Sequence, residues 1–489
     1  MPSKINWKVA IVVQQDGDHC FEYSDLVLSI LAQPGFENIK YKIFYYDEPS
    51  EMVSIKELWS DGKAPVIQTV SPAERTNIYD GKALTEFFTD SFSIEQDVES
   101  RYMAILWSHG AGLGYVGNLK SDGTGPDYLQ GITPTGQGTG SQNNTAAQNN
   151  ITEYNDLMRQ MTFLKSHLSI KGEPIRVMNE VFQGDKVKLK PSDTSLLDER
   201  LQLITAVQMN TIFQNALPKD KKIDVLITNT CYTQLLETGY ALKDTVSVLI
   251  SPQTTIPFTG FNYNALFRQM ERQPDLTAAD IAVNVRSNFN KKYDDPHFKK
   301  HFRILTPSAF ALMGEVSFSA NDLSHYGEFV EDFFSGMAER FWQAAKPGHQ
   351  DAKLLKVINA ARAKCLDISP SAPFNSSNYG IIDLTHFFRT FTDLCRKNGI
   401  PGWDDPREQF EHLMKKIRIV WHKASGPGQY SEHRASRSPY FLSFFFPSKN
   451  VNADMVELLI KVYLRLFNTR SLPKDLSKWP DFIIRWMKP

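Results

Sequence analysis

The chain has 489 residues, 42% of them apolar and 22% charged, with a formal net charge of -1. That length suffices for two or three domains and a large core. The near-neutral balance excludes an overall field that would gather nucleic acid or anionic membrane, no stretch reaches the ~18 consecutive apolar residues of a membrane-spanning helix, and the dispersed Cys20, Cys231, Cys365 and Cys395 form neither a disulfide framework nor a cysteine zinc site.

The N-terminal apolar run, residues 9 to 13, is too short for a signal h-region and is followed at once by Asp16 and Asp18. A cytoplasmic protein is expected. The run "VAIVV" reads as a buried strand, and residues 24 to 33 as a helix with Ser24 as N-cap. Residues 39 to 47 read as a second strand, 80 to 92 as a helix and 102 to 107 as a third strand. This alternation predicts a parallel sheet with crossover helices.

Residues 118 to 155 are rich in Gly, Thr, Asn and Gln and predict a surface insert, which extends to about residue 200. Regular structure resumes with a helix over 201–217, a strand over 223–229, a helix over 232–244 and a strand over 245–251. From about residue 315 the character turns helical: 326–345, 351–368 and 381–399, the last ending at Gly399, then a strand within 438–450 and a closing helix over "VELLIKVYLRLFN". The expected division is 1–314, carrying the insert at 118–200, and an α-rich region at 315–489.

Chemistry in a parallel α/β sheet gathers at the carboxyl ends of the strands. Two strands here end in reactive residues: the third runs into Ser108-His109-Gly110, and the fourth into Cys231 of "LITNTCYTQLL". If these strands are neighbours, both residues face one crevice. A cysteine near neutral pH needs a nearby base or a stabilised thiolate to act as a nucleophile. Cys231 is also expected to precede a helix directly, where backbone amides favour an anion. Gly110 lets backbone N–H groups approach a substrate carbonyl, as an oxyanion hole requires. The pattern predicts a cysteine hydrolase, with His109 as acid/base, Cys231 as nucleophile, and the Gly110 and Cys231 amides as oxyanion donors. Taken singly, His109 reads first as a turn histidine and Cys231 as a packed thiol; the pair at two strand ends brings the catalytic reading level with these. His297 and His301, four apart, have no Glu partner and, with Lys299 and Lys300 between them, read as a solvated face rather than a metal site. Asp16 and Asp18 read as turn formers before they read as a cation site.

With these residues in place, the chain resembles the clostripain family of cysteine peptidases, in the caspase-like group with gingipains, legumains and separases. The resemblance rests on "YMAILWSHGAG", on "IDVLITNTCYTQLLETGYALKDTVSVLISPQTTIPFTGFNY", on the opening "WKVAIVVQQDGDH", and on "IIDLTHFF" and "LSFFFPS" in order. It implies a caspase-like three-layer α/β sandwich with a mainly parallel sheet, and endopeptidase activity by a His109/Cys231 dyad. It also implies a P1 pocket lined by residue 229 and the loop 251–260, so that Asn229, Ser251, Gln253 and Gly260 become candidate substrate contacts. Many members cleave after Arg or Lys using an acidic pocket. Asn229 stands where the family commonly has Asp, which weakens bidentate recognition of a P1 Arg.

The resemblance implies no required cofactor, with calcium as a candidate. It implies a protein or peptide substrate, and an activating protease or regulator, since members are often zymogens cut between the His and Cys blocks. No Lys or Arg lies between Lys120 and Arg159, so basic self-cleavage is expected only at sites such as Lys165, Lys190 or Arg200. The rival readings are an inactive caspase-like scaffold that binds a protein partner, which Asn229 favours, and a cysteine transferase or amidase on small substrates.

Overall fold

The computed structural model describes residues 7–15, 38–47, 52–60, 65–76, 78, 81–93, 100–110, 114–116, 203–230, 232–254, 256, 260–294, 316–348, 351–365, 381–424, 442–447 and 478–487. The insert, the expected helix at 24–33 and the expected closing helix lie outside these residues, as do Asp16, Asp18, His297 and His301.

In chain order the first elements are β1 (Trp7–Gln15), β2 (Ile39–Asp47), β3 (Met52–Ser60), β4 (Pro65–Arg75), α1 (Lys82–Ser91), β5 (Arg101–Trp107), β6 (His109–Gly110) and β7 (Gly114–Val116). After the insert come β8 (Leu203–Thr205), α2 (Ala206–Ala216), β9 (Ile223–Asn229), α3 (Leu236–Leu242), β10 (Val246–Pro252), α4 (Tyr263–Arg272) and α5 (Ala278–Asp294). The rest are β11 (Val316–Asp322), a π-helical turn (Glu328–Phe334) running into α6 (Ser335–Ala345), α7 (Ala352–Lys364), β12 (Ile381–Asp383), α8 (Leu384–Lys397), α9 (Asp404–Ile417), β13 (Arg418–Ala424), β14 (Ser443–Phe445) and α10 (Lys478–Met487).

The main sheet has nine strands in the order β13-β11-β10-β9-β5-β1-β2-β3-β4. Its centre, β10-β9-β5-β1-β2, is parallel throughout, and an antiparallel pair flanks it on each side. Both faces are covered, which is why the central strands read as continuous apolar runs. Along β5, Met103, Ile105 and Trp107 join the cluster under α4 and α5, while Tyr102, Ala104 and Leu106 join the cluster under α1 and α2. The result is the three-layer α/β arrangement expected from the sequence.

The helix-rich C-terminal region is joined to this sheet rather than separate from it. β11 pairs with β10, and β13 with β11, so the sheet continues past the expected boundary at 315. One apolar cluster likewise runs from Val12 and Phe88 to Phe341, Phe391 and Trp479. Among the helices that begin later than their periodicity predicts are α2 and α8. Residues 203–205 form β8, and Thr205 and Gln208 make a reciprocal capping box that starts α2 at Ala206. Residues 381–383 pair with β14, and the Asp383 carboxylate accepts from the His386 N–H to start α8 at Leu384.

Candidate active site

The strands β5 and β9 are neighbours in register, with Trp107 opposite Asn229. His109 and Cys231 each lie two residues beyond that last pair. Past Ser108, the His109–Gly110 backbone is built into a small sheet, β6-β7-β8, with His109 opposite Val116 and Gly110 opposite Tyr115. The backbone of this segment is therefore fixed by strand pairing. The His109 side chain and the whole of Cys231 lie outside the described residues.

The residues flanking Cys231 are described, and they alter one expectation. The helix α3 begins at Leu236, not directly after the cysteine. Residues 232 to 235 instead form an irregular turn bonded to the end of β10 and the residues after it: the Tyr232 N–H donates to the Thr254 carbonyl at 3.1 Å and the Gln234 N–H to the Pro252 carbonyl at 2.9 Å. On the other side the Ser443 N–H donates to the Gln234 carbonyl at 3.0 Å, and Leu235 bridges Ser443. These bonds hold the backbone away from helical geometry, so a helix N-terminus does not abut Cys231.

A cluster of buried hydroxyls lies around the same turn. The Thr228 and Thr233 hydroxyls are 2.8 Å apart, Thr228 and Ser251 2.7 Å, and Thr233 and Ser251 2.7 Å. The Thr230 hydroxyl donates to Thr233 Oγ1 at 3.1 Å, and the Thr233 hydroxyl donates to the Thr230 carbonyl at 3.0 Å. All four residues are buried.

The candidate substrate contacts converge on this edge of the sheet. Ser251 is fully buried, with its hydroxyl in the cluster just described. Gln253 is also buried: its amide Nε2 donates to Asp383 Oδ2 at 2.9 Å, and its Oε1 accepts from the Ser317 hydroxyl at 3.4 Å. Asn229 is 3% exposed and packs under Gly260, whose φ is +58°. Beyond Gly260, Lys292 Nζ donates to the Gly260 and Phe261 carbonyls at 3.3 and 3.4 Å. The described part of this edge thus presents an amide at 229 and an ammonium behind residue 260. Sequence reasoning missed Thr228, Thr230, Thr233 and Asp383; the crowding of threonines in "ITNTCYT" was the one available signal. Among the described residues, no group of three or more His, Cys, Asp or Glu side chains is arranged to hold a metal ion, and no helix is long and apolar enough to cross a membrane.

Residues 203–394, which contain Cys231 and run from β8 into α8, match the family model of the clostripain family, peptidase C11. No curated protein matches the chain. Among solved structures, an inactive zymogen C11 protease from Parabacteroides distasonis aligns over 98% of this chain and 99% of its own, at 13% identity and a TM-score of 0.55. A secreted C11 cysteine protease from Bacteroides thetaiotaomicron, in complex with an irreversible peptide inhibitor, aligns over 94% of this chain and 99% of its own, at 14% identity and a TM-score of 0.50. At such identities the likeness speaks to the fold, which is that of these C11 proteases. The match over 203–394 covers the Cys-bearing strand and the elements around it, and in this part the chain is similar to the clostripain family of cysteine peptidases.

Proposed function

We propose that the protein is a cysteine endopeptidase working through a His109/Cys231 dyad and held as a regulated zymogen. The Cys231 thiolate attacks the scissile carbonyl carbon. The backbone N–H groups of Gly110 and Cys231 donate to the developing oxyanion. His109 protonates the leaving amine as the C–N bond breaks, and water then hydrolyses the thioester acyl-enzyme to release acid and restore the thiol. The observation that carries this reading is the Trp107–Asn229 register pair on adjacent parallel strands, with both reactive residues two positions beyond it. Asn229 and Gly260 are proposed to line the P1 pocket. The Asn229 amide favours a neutral P1 side chain, against the basic one the family resemblance implies.

The test is intact-mass analysis after incubation with acyloxymethyl-ketone peptides bearing P1 Arg or a neutral P1 residue. Cys365 and Cys395 are buried, and burial pushes the Cys395 thiol up to about 12, so neither competes with a nucleophilic thiol. One adduct is expected, absent from Cys231→Ala and slowed ~100-fold or more in His109→Ala. An adduct that survives in Cys231→Ala would overturn the reading. No adduct with any P1 residue, even after the insert is nicked, would favour the inactive scaffold.

The zymogen reading is supported by where the insert leaves and returns. Val116 at the end of β7 is the register partner of Leu203 at the start of β8. The fragment before the insert contributes β5, which sits between β1 and β9, and β9 belongs to the fragment after it. A single cut within 117–202 is therefore expected to leave two fragments that co-elute on native size exclusion and separate only in denaturant. Separate elution under native conditions would show that the shared sheet does not hold them.

A further inference from the structure

We infer that the buried hydroxyls of Thr228, Thr233 and Ser251 are positioning residues for the reaction, holding the turn that carries Cys231. The inference rests on the proposed role of Cys231 as nucleophile.

Four hydroxyl protons serve five short contacts, so in any one arrangement one of the three contacts among Thr228, Thr233 and Ser251 carries no proton. A hydroxyl has one proton to donate and two lone pairs to accept with. Thr230 donates to Thr233, and Thr233 donates to the Thr230 carbonyl. Thr233 then has one lone pair left, which takes a proton from Ser251 or Thr228, and the remaining proton bridges Thr228 and Ser251. Every hydroxyl proton has an acceptor inside the cluster without solvent. Such a closed buried network fixes the geometry of its members.

The network also joins the parts that must not move. Thr228 is on β9, Ser251 is on β10, and Thr233 lies beyond Cys231. The bond from the Thr233 hydroxyl to the Thr230 carbonyl closes the chain over the two residues between them, Cys231 and Tyr232. Tyr232 has φ of 60°, a left-handed conformation that a residue with a Cβ adopts at a cost and keeps only where its surroundings over-determine it. The Thr233 hydroxyl, together with the Tyr232 and Gln234 amides bonded to the Thr254 and Pro252 carbonyls, supplies that over-determination. A peptidase needs its sulfur held in a fixed line of attack, and displacement by about 1 Å costs on the order of 100-fold in rate.

The experiment compares wild type, Thr233→Val, Thr233→Ser and Ser251→Ala in the full chain. The probe is iodoacetamide, with the rate of Cys231 alkylation followed by peptide mass spectrometry across pH. The peptide ketone that labels wild type is then used to separate binding from inactivation. Thr233→Val keeps the shape and removes the hydroxyl. It is expected to cut the maximal inactivation rate ~10- to 100-fold with little change in the half-saturating concentration, and to shift the pH profile of alkylation. Thr233→Ser is expected to return within ~3-fold of wild type, and Ser251→Ala to fall between. Unchanged inactivation and pH profile in Thr233→Val would overturn the inference, as would a Thr233→Ser variant as impaired as Thr233→Val. Melting curves of the same variants separate unfolding from misplacement, since a loss that tracks the unfolded fraction also counts against it. If wild-type Cys231 is never labelled by the ketone, the dyad reading itself fails.

Discussion

Replacing Asp383 with alanine is expected to destabilise the protein by about 1.5–5 kcal/mol, among the larger effects available from one buried polar side chain. Asp383 is 1% exposed and lies in β12, opposite Ser443 of β14. Its Oδ1 accepts from the His386 N–H at 2.7 Å and caps α8; its Oδ2 accepts from Gln253 Nε2 at 2.9 Å. Loss of an N-cap costs roughly 0.5–2 kcal/mol. Loss of the second bond leaves the buried Gln253 amide without this acceptor, a further ~1–3 kcal/mol. Asp383→Asn retains a good capping oxygen and should recover much of the first contribution. The same substitution should reach the substrate loop, because Gln253 belongs to it and the Gln253 N–H also donates to the Ser317 carbonyl at 2.8 Å. Denaturant unfolding gives the stability change, and ketone labelling of Cys231 at a temperature where the variant is folded gives the second effect. A loss below about 1 kcal/mol would mean that the Gln253–Asp383 contact contributes little to joining the C-terminal region to the sheet.

The parts of the fold that were legible are those whose burial leaves a local trace. The strands β1, β5, β9 and β10 are apolar on both faces, so they stand out as runs, and their carboxyl ends pointed to His109 and Cys231. The outer strands do not have that trace. In β11 the side chains of Ser317, Ser319 and Asn321 are fully buried, yet the segment "VSFSAND" carries no continuous apolar run to mark it as a strand buried on both faces. Specific partners make two of those positions tolerable: the Ser317 hydroxyl donates to Gln253 Oε1, 64 residues earlier, and the Asn321 amide donates to the Tyr326 hydroxyl five residues on. The helix expected from residue 232 failed for a related reason. Its apolar spacing is helical, but bonds to β10 and β14 govern residues 232 to 235. At the site, a threonine near a strand end is an ordinary β-former by local measures. That Thr228, Thr230, Thr233 and Ser251 share one proton network follows from the pairing of β9 with β10, which no local pattern states. Asp383 is legible as a helix cap and invisible as the partner of a glutamine 130 residues earlier.

Gly260→Ala is expected to cost about 2–5 kcal/mol and to slow labelling of Cys231, and the two sources of that cost can be separated. Gly260 has φ of +58°, which disfavours any residue with a Cβ by roughly 1–2 kcal/mol. A Cβ there would also fall 2.1 Å from Asn229 Oδ1, 2.5 Å from its Cγ and 2.6 Å from its Nδ2. Those are not distances a side chain tolerates, and overpacking of this kind typically costs about 1–3 kcal/mol. Asn229 ends β9 opposite Trp107, so it has little freedom to retreat without disturbing the strand that leads to Cys231. In an Asn229→Ala background the clashing atoms are gone and only the backbone cost remains. The double-mutant cycle is therefore expected to show that Gly260→Ala costs about 1–2 kcal/mol there, against the larger value in the wild-type background. Equal costs in both backgrounds would mean that the glycine is required for its backbone alone. A smaller cost beside Asn229→Ala would establish that the amide at 229 is held in place by the loop at 260, the contact on which the proposed P1 pocket depends.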